Sequence, residues 1–386
     1  MARTWRTVAV VLVITMLAGG CRGSTPGEVE PFRPGWSAVA LPPPAGPPGR
    51  LVLRDVAACA GRWFAVGAVR AADGATRPAA WASTDARTWT ALAVTGTSHY
   101  GRQNILYAAA CRDGRLAAIG SKVGGVHGNP RVSTWAQADE GRLAEVPTPF
   151  ERFGGPEAVN VARMVGGPPG WLIVGNRVRG AAVWLSADAT EFELVDGASE
   201  LASDARGRTW VFDAVATTQG WLAVGAVRHT GRTTPEPVAW ASGDGRTWRR
   251  LDVPVAGGSG ELQRVATVDG VPVAVGLSDG RFGAWRAGGD GWARVGRFGT
   301  VTGPGLPSVR GVAVAGDRLV VAVVDGSGHE LWTSTDHGGS WRRIVAPLGT
   351  ARLDGDSGIA VATAGDRLLL AVDDAGGATM WLTGIH

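Results

Sequence analysis

Short apolar runs bounded by Gly, Asp, Ser and Pro recur along this chain in a fixed order. A first run rich in Ala and Val, such as Asp55 to Ala58, Asp213 to Ala216 or Val312 to Val314, leads into a Gly-containing turn. A second run follows: WFAVGAV from Trp63, WLIVG from Trp171, WLAVGAV from Trp221, PVAVG from Pro272 and LVVAVV from Leu319. After a polar loop of variable length comes a run marked by a tryptophan, then a Ser/Asp/Gly turn and a last short run, as in WASTDARTWTAL from Trp81. Runs of this length, rich in β-branched and aromatic residues and closed by turn formers, predict strands, four to each repeat.

The marker tryptophans are Trp81, Trp135, Trp184, Trp240, Trp285, Trp332 and Trp381, spaced 45 to 56 residues apart with a mean of 50. That period, with several short strands per unit, predicts an all-β fold, a β-propeller of seven four-stranded blades spanning residues 36–386. The seventh repeat runs from Gly358 through Trp381 to His386 and lacks a fourth strand, while the run Trp36 to Leu41 stands unused before the first repeat. Pairing that N-terminal strand with the strand around Trp381 closes the ring and removes the exposed edges that invite aggregation. The expected state is a monomer.

The turn Ser334-Thr335-Asp336-His337-Gly338-Gly339-Ser340-Trp341 resembles the Asp-box of the BNR repeat family, whose pattern is Ser-x-Asp-x-Gly-x-Ser/Thr-Trp. Ser83, Asp85 and Trp89, and likewise Ser242, Asp244 and Trp248, sit in copies one residue shorter; Ser186/Asp188/Phe192 and Gln137/Asp139/Gly141 are degraded ones. The resemblance covers the repeats and constrains fold far more than function, because such propellers include sialidases, other glycan-processing enzymes, receptors and assembly factors. It implies that the box aspartates are structural and peripheral. Each carboxylate accepts backbone N–H groups across a tight hairpin, Gly supplies the positive φ, and Trp packs between blades.

Residues 1–20 read as an export signal. Arg3 and Arg6 precede an apolar run from Thr7 to Ala18, too short for a membrane span, and Ala18-Gly19-Gly20-Cys21 resembles a lipobox with Leu17 one place early. Cleavage before Cys21 and its lipidation would anchor the protein on the extracytoplasmic face of the cell membrane, the alternative being plain secretion. Residues 21–35, rich in Pro, Gly, Ser and Glu, read as a flexible tether. The signal carries two arginines and no acid, so its removal takes the net charge from +4 to +2. With arginines spread along the repeats, this slight basicity gives no footprint for nucleic acid.

Cys59 and Cys111 end the first strands of adjacent blades, and in an oxidising compartment a disulfide between them is geometrically plausible, two separate thiols being the alternative. Aligning the repeats places Asp55, Tyr107, Asn160, Asp213, Arg264, Gly311 and Gly358 at one level of the inner strands, a lopsided polar ring. Its polar members, Asp55, Tyr107, Asn160, Asp213 and Arg264, either bind a small polar ligand at the channel mouth or pair with one another, for example Asp213 with Arg264. Six histidines show no metal-ligand spacing, Asp354 to Ser357 resembles half of a calcium loop without its closing glutamate, and no phosphate loop is present, so no cofactor or metal is expected. A sialidase-like hydrolase needs a late Tyr nucleophile, whereas Tyr100 and Tyr107 are the two tyrosines, and Phe32-Arg33-Pro34 lacks the Ile of the motif it resembles. The reading is a non-catalytic binding or assembly platform for an envelope protein or glycan, the alternative being a glycoside hydrolase. Recognition is expected on the loops Arg70 to Pro78, Ser121 to Arg131 and Arg228 to Pro237 of blades one, two and four.

Overall fold

A computed structural model describes residues 29–386 except 126–127, 256–257, 290 and 349–355. The signal, Cys21 and most of the tether lie outside the described residues. From Pro31 on, the chain forms one compact unit of β-sheet.

Seven sheets follow one another around a ring, and β1 (Ser37–Val39) belongs to the last of them. Blade 1 is β2 (Arg50–Cys59), β3 (Arg62–Arg70), β4 (Thr76–Ser83) and β5 (Thr90–Ala91). Blade 2 is β7 (Ile105–Arg112), β8 (Arg115–Gly124), β9 (Asn129–Asp139) and β10 (Arg142–Glu145), with β6 (Ala93–Thr95) added in parallel to its outer edge. Blade 3 is β11 (Ala158–Gly167), β12 (Gly170–Arg177), β13 (Gly180–Ser186) and β14 (Glu193–Val195), and blade 4 is β15 (Gly207–Thr217), β16 (Gly220–His229), β17 (Glu236–Ser242) and β18 (Arg249–Leu251). Blade 5 is β19 (Gly260–Val268), β20 (Val271–Ser278), β21 (Arg281–Gly288) and β22 (Gly291–Phe298), and blade 6 is β23 (Ser308–Ala315), β24 (Arg318–Val324), β25 (His329–Ser334) and β26 (Arg342–Ile344). Blade 7 joins β27 (Gly358–Ala364), β28 (Arg367–Asp374) and β29 (Gly377–Gly384) to β1, which pairs antiparallel with β29 through Ala38 opposite Trp381. This is the seven-bladed ring and the closure that the repeats predict.

Each blade is covered by a neighbour on both faces, which is why its second strand reads as an unbroken apolar run rather than an alternating one. In β16, Trp221 and Ala223 pack toward blade 3, and Leu222 and Val224 toward blade 5. Among the described residues there are seven apolar clusters, one at each blade interface, and every marker tryptophan packs into the interface with the preceding blade. Five of these indoles also donate a hydrogen bond to the segment that leads into their own blade. The acceptors are the carbonyls of Pro42, Arg152, Glu200 and Pro254 and the side-chain oxygen of Asn104, at 2.7 to 3.3 Å. The tryptophan therefore does two jobs, filling the interface and tethering the incoming connection, and each such hydrogen bond is worth about 1 kcal/mol.

The antiparallel order gives the ring two distinct ends. The upper end holds the starts of the inner strands, the second-to-third strand loops and the connections between blades. The lower end holds the first-to-second and third-to-fourth turns. The second-to-third loops of blades 1, 2 and 4 are shorter than the sequence suggests, because β8 and β9 continue to Gly124 and Asn129 and β16 continues to His229.

Cys59 and Cys111 form a disulfide at the lower end between blades 1 and 2, with Cα atoms 5.7 Å apart and a separation of 52 positions in sequence. Removing a cross-link over a loop of this length costs about 2–4 kcal/mol. Cys59→Ser with Cys111→Ser should therefore lower the thermal midpoint, while adding a reductant to the native chain should reproduce the loss. Calorimetry with and without reductant checks both.

Candidate functional site

The register around the axis differs from the one expected from sequence. Six inner strands carry a β-bulge at the same level, with Arg54, Tyr107, Ala162, Phe212, Gln263 and Arg310 as the extra residues. Matching each inner strand to its second strand then aligns Asp55, Ala108, Arg163, Asp213, Arg264, Gly311 and Ala360. Tyr107, Asn160 and Gly358 are thus off the expected level. Tyr107 is itself the bulge residue, one place before Ala108, whereas Asn160 lies three places before Arg163 and Gly358 two places before Ala360 in a strand without a bulge.

Arg163 is the member that the repeat alignment left out. Its guanidinium reaches past blade 2, whose residue at this level is only Ala108, and pairs with Asp55 Oδ2 at 3.1 Å. Asp55 also accepts the N–H groups of Val56 at 3.0 Å and Ala109 at 2.9 Å. Asp213 makes no direct pair with Arg264; its carboxylate accepts the Val265 N–H at 3.2 Å, and the two arginines act on it at longer range. Arg264 donates instead to the carbonyls of Gln263 and Arg310. Tyr107 donates to the Val161 carbonyl at 2.7 Å, and Asn160 accepts a hydrogen bond from Asn176 at 2.8 Å.

Charge balance at the axis follows from burial. Burial pushes the Asp213 carboxyl up, against the pull of Arg264 and Arg163. Burial, and then the like charge of Arg163, bring Arg264 down to about 10. Arg163 goes the other way, because Asp55 and then Asp213 outweigh the cost of its burial. Burial raises the Tyr107 phenol, so it stays a neutral hydrogen-bond donor.

These polar groups work as clamps between blades. Asp55 joins blade 1 to the backbone of blade 2, and Tyr107 joins blade 2 to blade 3. Asn176 joins blade 3 to both backbone groups of Val211 in blade 4, and Asp213 joins blade 4 to blade 5. Gln263 accepts the Val309 N–H at 2.6 Å between blades 5 and 6, and Thr363 donates to Val314 at 2.5 Å between blades 7 and 6. Where the ring closes, Arg50 and Arg54 both pair with the buried carboxylate of Asp373. No cluster of three or more metal-ligating side chains is present among the described residues.

The box turns lie at the lower end and the rim. Asp85 accepts the N–H groups of Arg87 and Thr88 and the Ser83 hydroxyl at 2.7 to 3.0 Å, and Trp89 donates its indole N–H to the Ala86 carbonyl. Asp244 repeats the set with Arg246, Thr247 and Ser242, and Trp248 donates to Gly245. Asp336 accepts the Ser340 N–H and the Ser334 hydroxyl, and Trp341 donates to Gly338. The positive φ expected of glycine falls at +73° on Gly245 but at +57° on Ala86, so blade 1 makes the turn with an alanine in the left-handed region. The backbone N–H of Thr88 first, then that of Arg87, bring Asp85 from 3.8 down to about 2, and those of Thr247 and Arg246 do the same for Asp244.

No protein-family model matches the chain, and no curated protein matches it. Solved structures match in fold. A Mycobacterium tuberculosis puromycin-hydrolyzing peptidase is 14% identical with a TM-score of 0.54 over 87% of this chain, which spans about half (53%) of that one. A protein from Lactobacillus plantarum is 13% identical, TM-score 0.53, covering 84% of this chain and 96% of the other. The β-propeller domain of the trilobed protease from Pyrococcus furiosus is 9% identical, TM-score 0.50, covering 86% and 93%; it has an open velcro topology, whereas here β1 closes the last blade. At these identities the likeness establishes the propeller fold alone.

Two outcomes are expected. Arg163→Met leaves the buried Asp55 and Asp213 without their shared cation and should cost about 3 kcal/mol, with Asp55→Asn in the same chain restoring part of it, read by thermal denaturation. An aspartate depressed in the folded state adds stability that is complete above its unfolded pKa and disappears as pH falls through the folded one. The melting temperature should therefore fall from about pH 4 to pH 2, and Asp244→Asn should fall less steeply over that window.

Proposed function

We propose that the protein is a lipid-anchored, extracytoplasmic propeller that serves as a non-catalytic binding or assembly platform for an envelope protein or glycan. One observation carries the reading. Every exposed large apolar side chain of the described propeller lies at the upper end: Val123, Phe150, Val159, Val178, Val255, Leu306 and Val345. Leu306 is 88% and Val123 is 65% exposed.

The patch is most continuous over blades 2 and 3. Arg131 stacks on Phe150, 4.4 Å from the ring centroid, and on Tyr100 at 5.7 Å. Arg177 donates to Gly154 beside Phe150, and the Val178 N–H bonds to Glu157, which brings Val178 and Val159 up to the same surface. An aromatic–arginine stack edged by valines is the composition of an interaction hot spot. The axial carboxylates support the same reading from the other side. Asp55 and Asp213 are engaged by backbone N–H groups and arginine, and the Tyr107 hydroxyl is committed to a carbonyl, so these groups already serve the contacts between blades. Among the described residues no helix is long and apolar enough to cross a membrane; the attachment in this proposal is through Cys21.

Crosslinking the full chain in its native envelope tests the reading, with Cys21→Ala as the localisation control. A defined partner should be captured by the native chain and lost, at least about tenfold, on Phe150→Asp with Val178→Asp. Turnover of envelope glycans by the purified protein, with no such partner, would replace the platform with a hydrolase.

A further inference from the structure

The third-to-fourth strand turns of blades 1, 4 and 6 share one arrangement. The turn folds over the interface with the preceding blade, and a carbonyl in it, from Ala86, Gly245 or Gly338, accepts the indole N–H of the tryptophan that follows at 2.8 to 3.0 Å. In blade 4 the turn presses Gly245 onto Leu185, the residue after the marker Trp184, and in blade 6 Gly338 lies on Ala284 of blade 5.

Blade 5 has the tryptophan without the turn. Trp292 stands opposite Ala287, two residues beyond the marker Trp285; Trp248 takes the same position by continuation of the Ala241–Arg249 pairing. Trp292 is buried in the core between blades 4 and 5. The strands around it stay paired as far as Gly288 opposite Gly291, through the positions where blades 1, 4 and 6 have the folded box turn. What remains is an open cleft of about 940 Å³ at the lower end, with Leu222, Ala241 and Leu251 of blade 4 on one side, Trp292 on the other, and Thr217 and Thr247 at the rim. The Trp292 indole N–H has no hydrogen-bond partner among the described residues.

We propose that this cleft is a docking site for a tight surface turn of a partner polypeptide, whose backbone carbonyl accepts the Trp292 N–H and whose small residues cover Leu222, Ala241 and Leu251. The occupant is defined by the molecule itself, because three of its own interfaces show a Ser-x-Asp turn filling this place. A sugar ring is a poorer fit, since Trp221, Trp248 and Trp292 along the cleft are all buried and offer no exposed face for stacking. The site is at the opposite end from the apolar patch and stands independently of the platform reading.

The probe is a disulfide-cyclised peptide carrying the blade-4 turn Ser242 to Thr247, titrated into the full chain with its tryptophans labelled with nitrogen-15. The indole N–H resonance that is lost in Trp292→Phe should move and saturate with a dissociation constant of roughly a millimolar, as a ligand of so few contacts gives. Ala241→Arg, which fills the cleft and keeps Trp292, should weaken binding at least about tenfold, whereas Phe150→Asp should leave it unchanged. An unmoved Trp292 resonance, an equal shift with a scrambled cyclic peptide, or a shift that instead follows protein concentration would overturn the proposal, the last in favour of self-association.

Discussion

Two-sided burial of each blade is the constraint on which the rest of this structure depends. A four-stranded sheet whose second strand is apolar on both faces cannot stand alone, and a row of such sheets leaves two faces bare unless it returns on itself. Closure is therefore reinforced by several independent contacts. β1 adds the outer strand of blade 7, Arg50 and Arg54 of blade 1 converge on Asp373 of blade 7, and Phe32 and Trp36 pack over the interface between blades 6 and 7. The chain's first described strand and its last are thus held in one sheet.

Bringing seven inner strands together creates a second problem, because their bulges leave backbone N–H and carbonyl groups pointing at the next blade with no ladder partner. Side chains of the inner strands and of Asn176 on a second strand meet that demand at Ala109, Val161, Val211, Val265 and Val309. Ionised groups enter because an aspartate accepts strong hydrogen bonds, and a buried aspartate then needs a cation. Arg163 serves Asp55 directly and Asp213 through space, which makes the axial charges part of the architecture.

The fold was legible because it rests on large, rare residues at a fixed period. Each marker tryptophan fills an interface that no smaller side chain would fill, and in five blades its indole N–H adds a tether to the incoming segment, so spacing alone located the third strand of every blade. The axis was not legible to the same degree. Asp55, Asp213 and Arg264 were aligned correctly, but Tyr107 is the bulge residue of its own strand, Asn160 lies three places before Arg163 and Gly358 two places before Ala360, because the inner-strand residues share no chemistry from blade to blade that would fix the alignment. The signal that could have found Arg163 was the spacing from the second strand, four residues past its start, where Val66, Ile119, Val174 and Val224 recur in register. Blade 1 also shows that a box turn is held by its Ser and Asp hydrogen bonds strongly enough to seat Ala86 at positive φ, so absence of glycine is a weak argument against such a turn.

The two ends differ for a reason that lies in the turns themselves. At the lower end the chain reverses through hairpins of a few residues and through box turns whose carboxylates saturate the local N–H groups, leaving little room for an apolar side chain to stand free. At the upper end the connections must cross from the rim of one blade to the axis of the next, and their length is set by that span rather than by a turn type. Such segments carry side chains whose exposure the fold does not dictate, and it is there that Leu306, Phe150 and Val255 sit in solvent. The lower cleft between blades 4 and 5 is the converse case. It arises where strand pairing continues to Gly288 and Gly291 in place of the box turn, so the local departure from the repeat, and not a specialised loop, is what opens a surface for a partner.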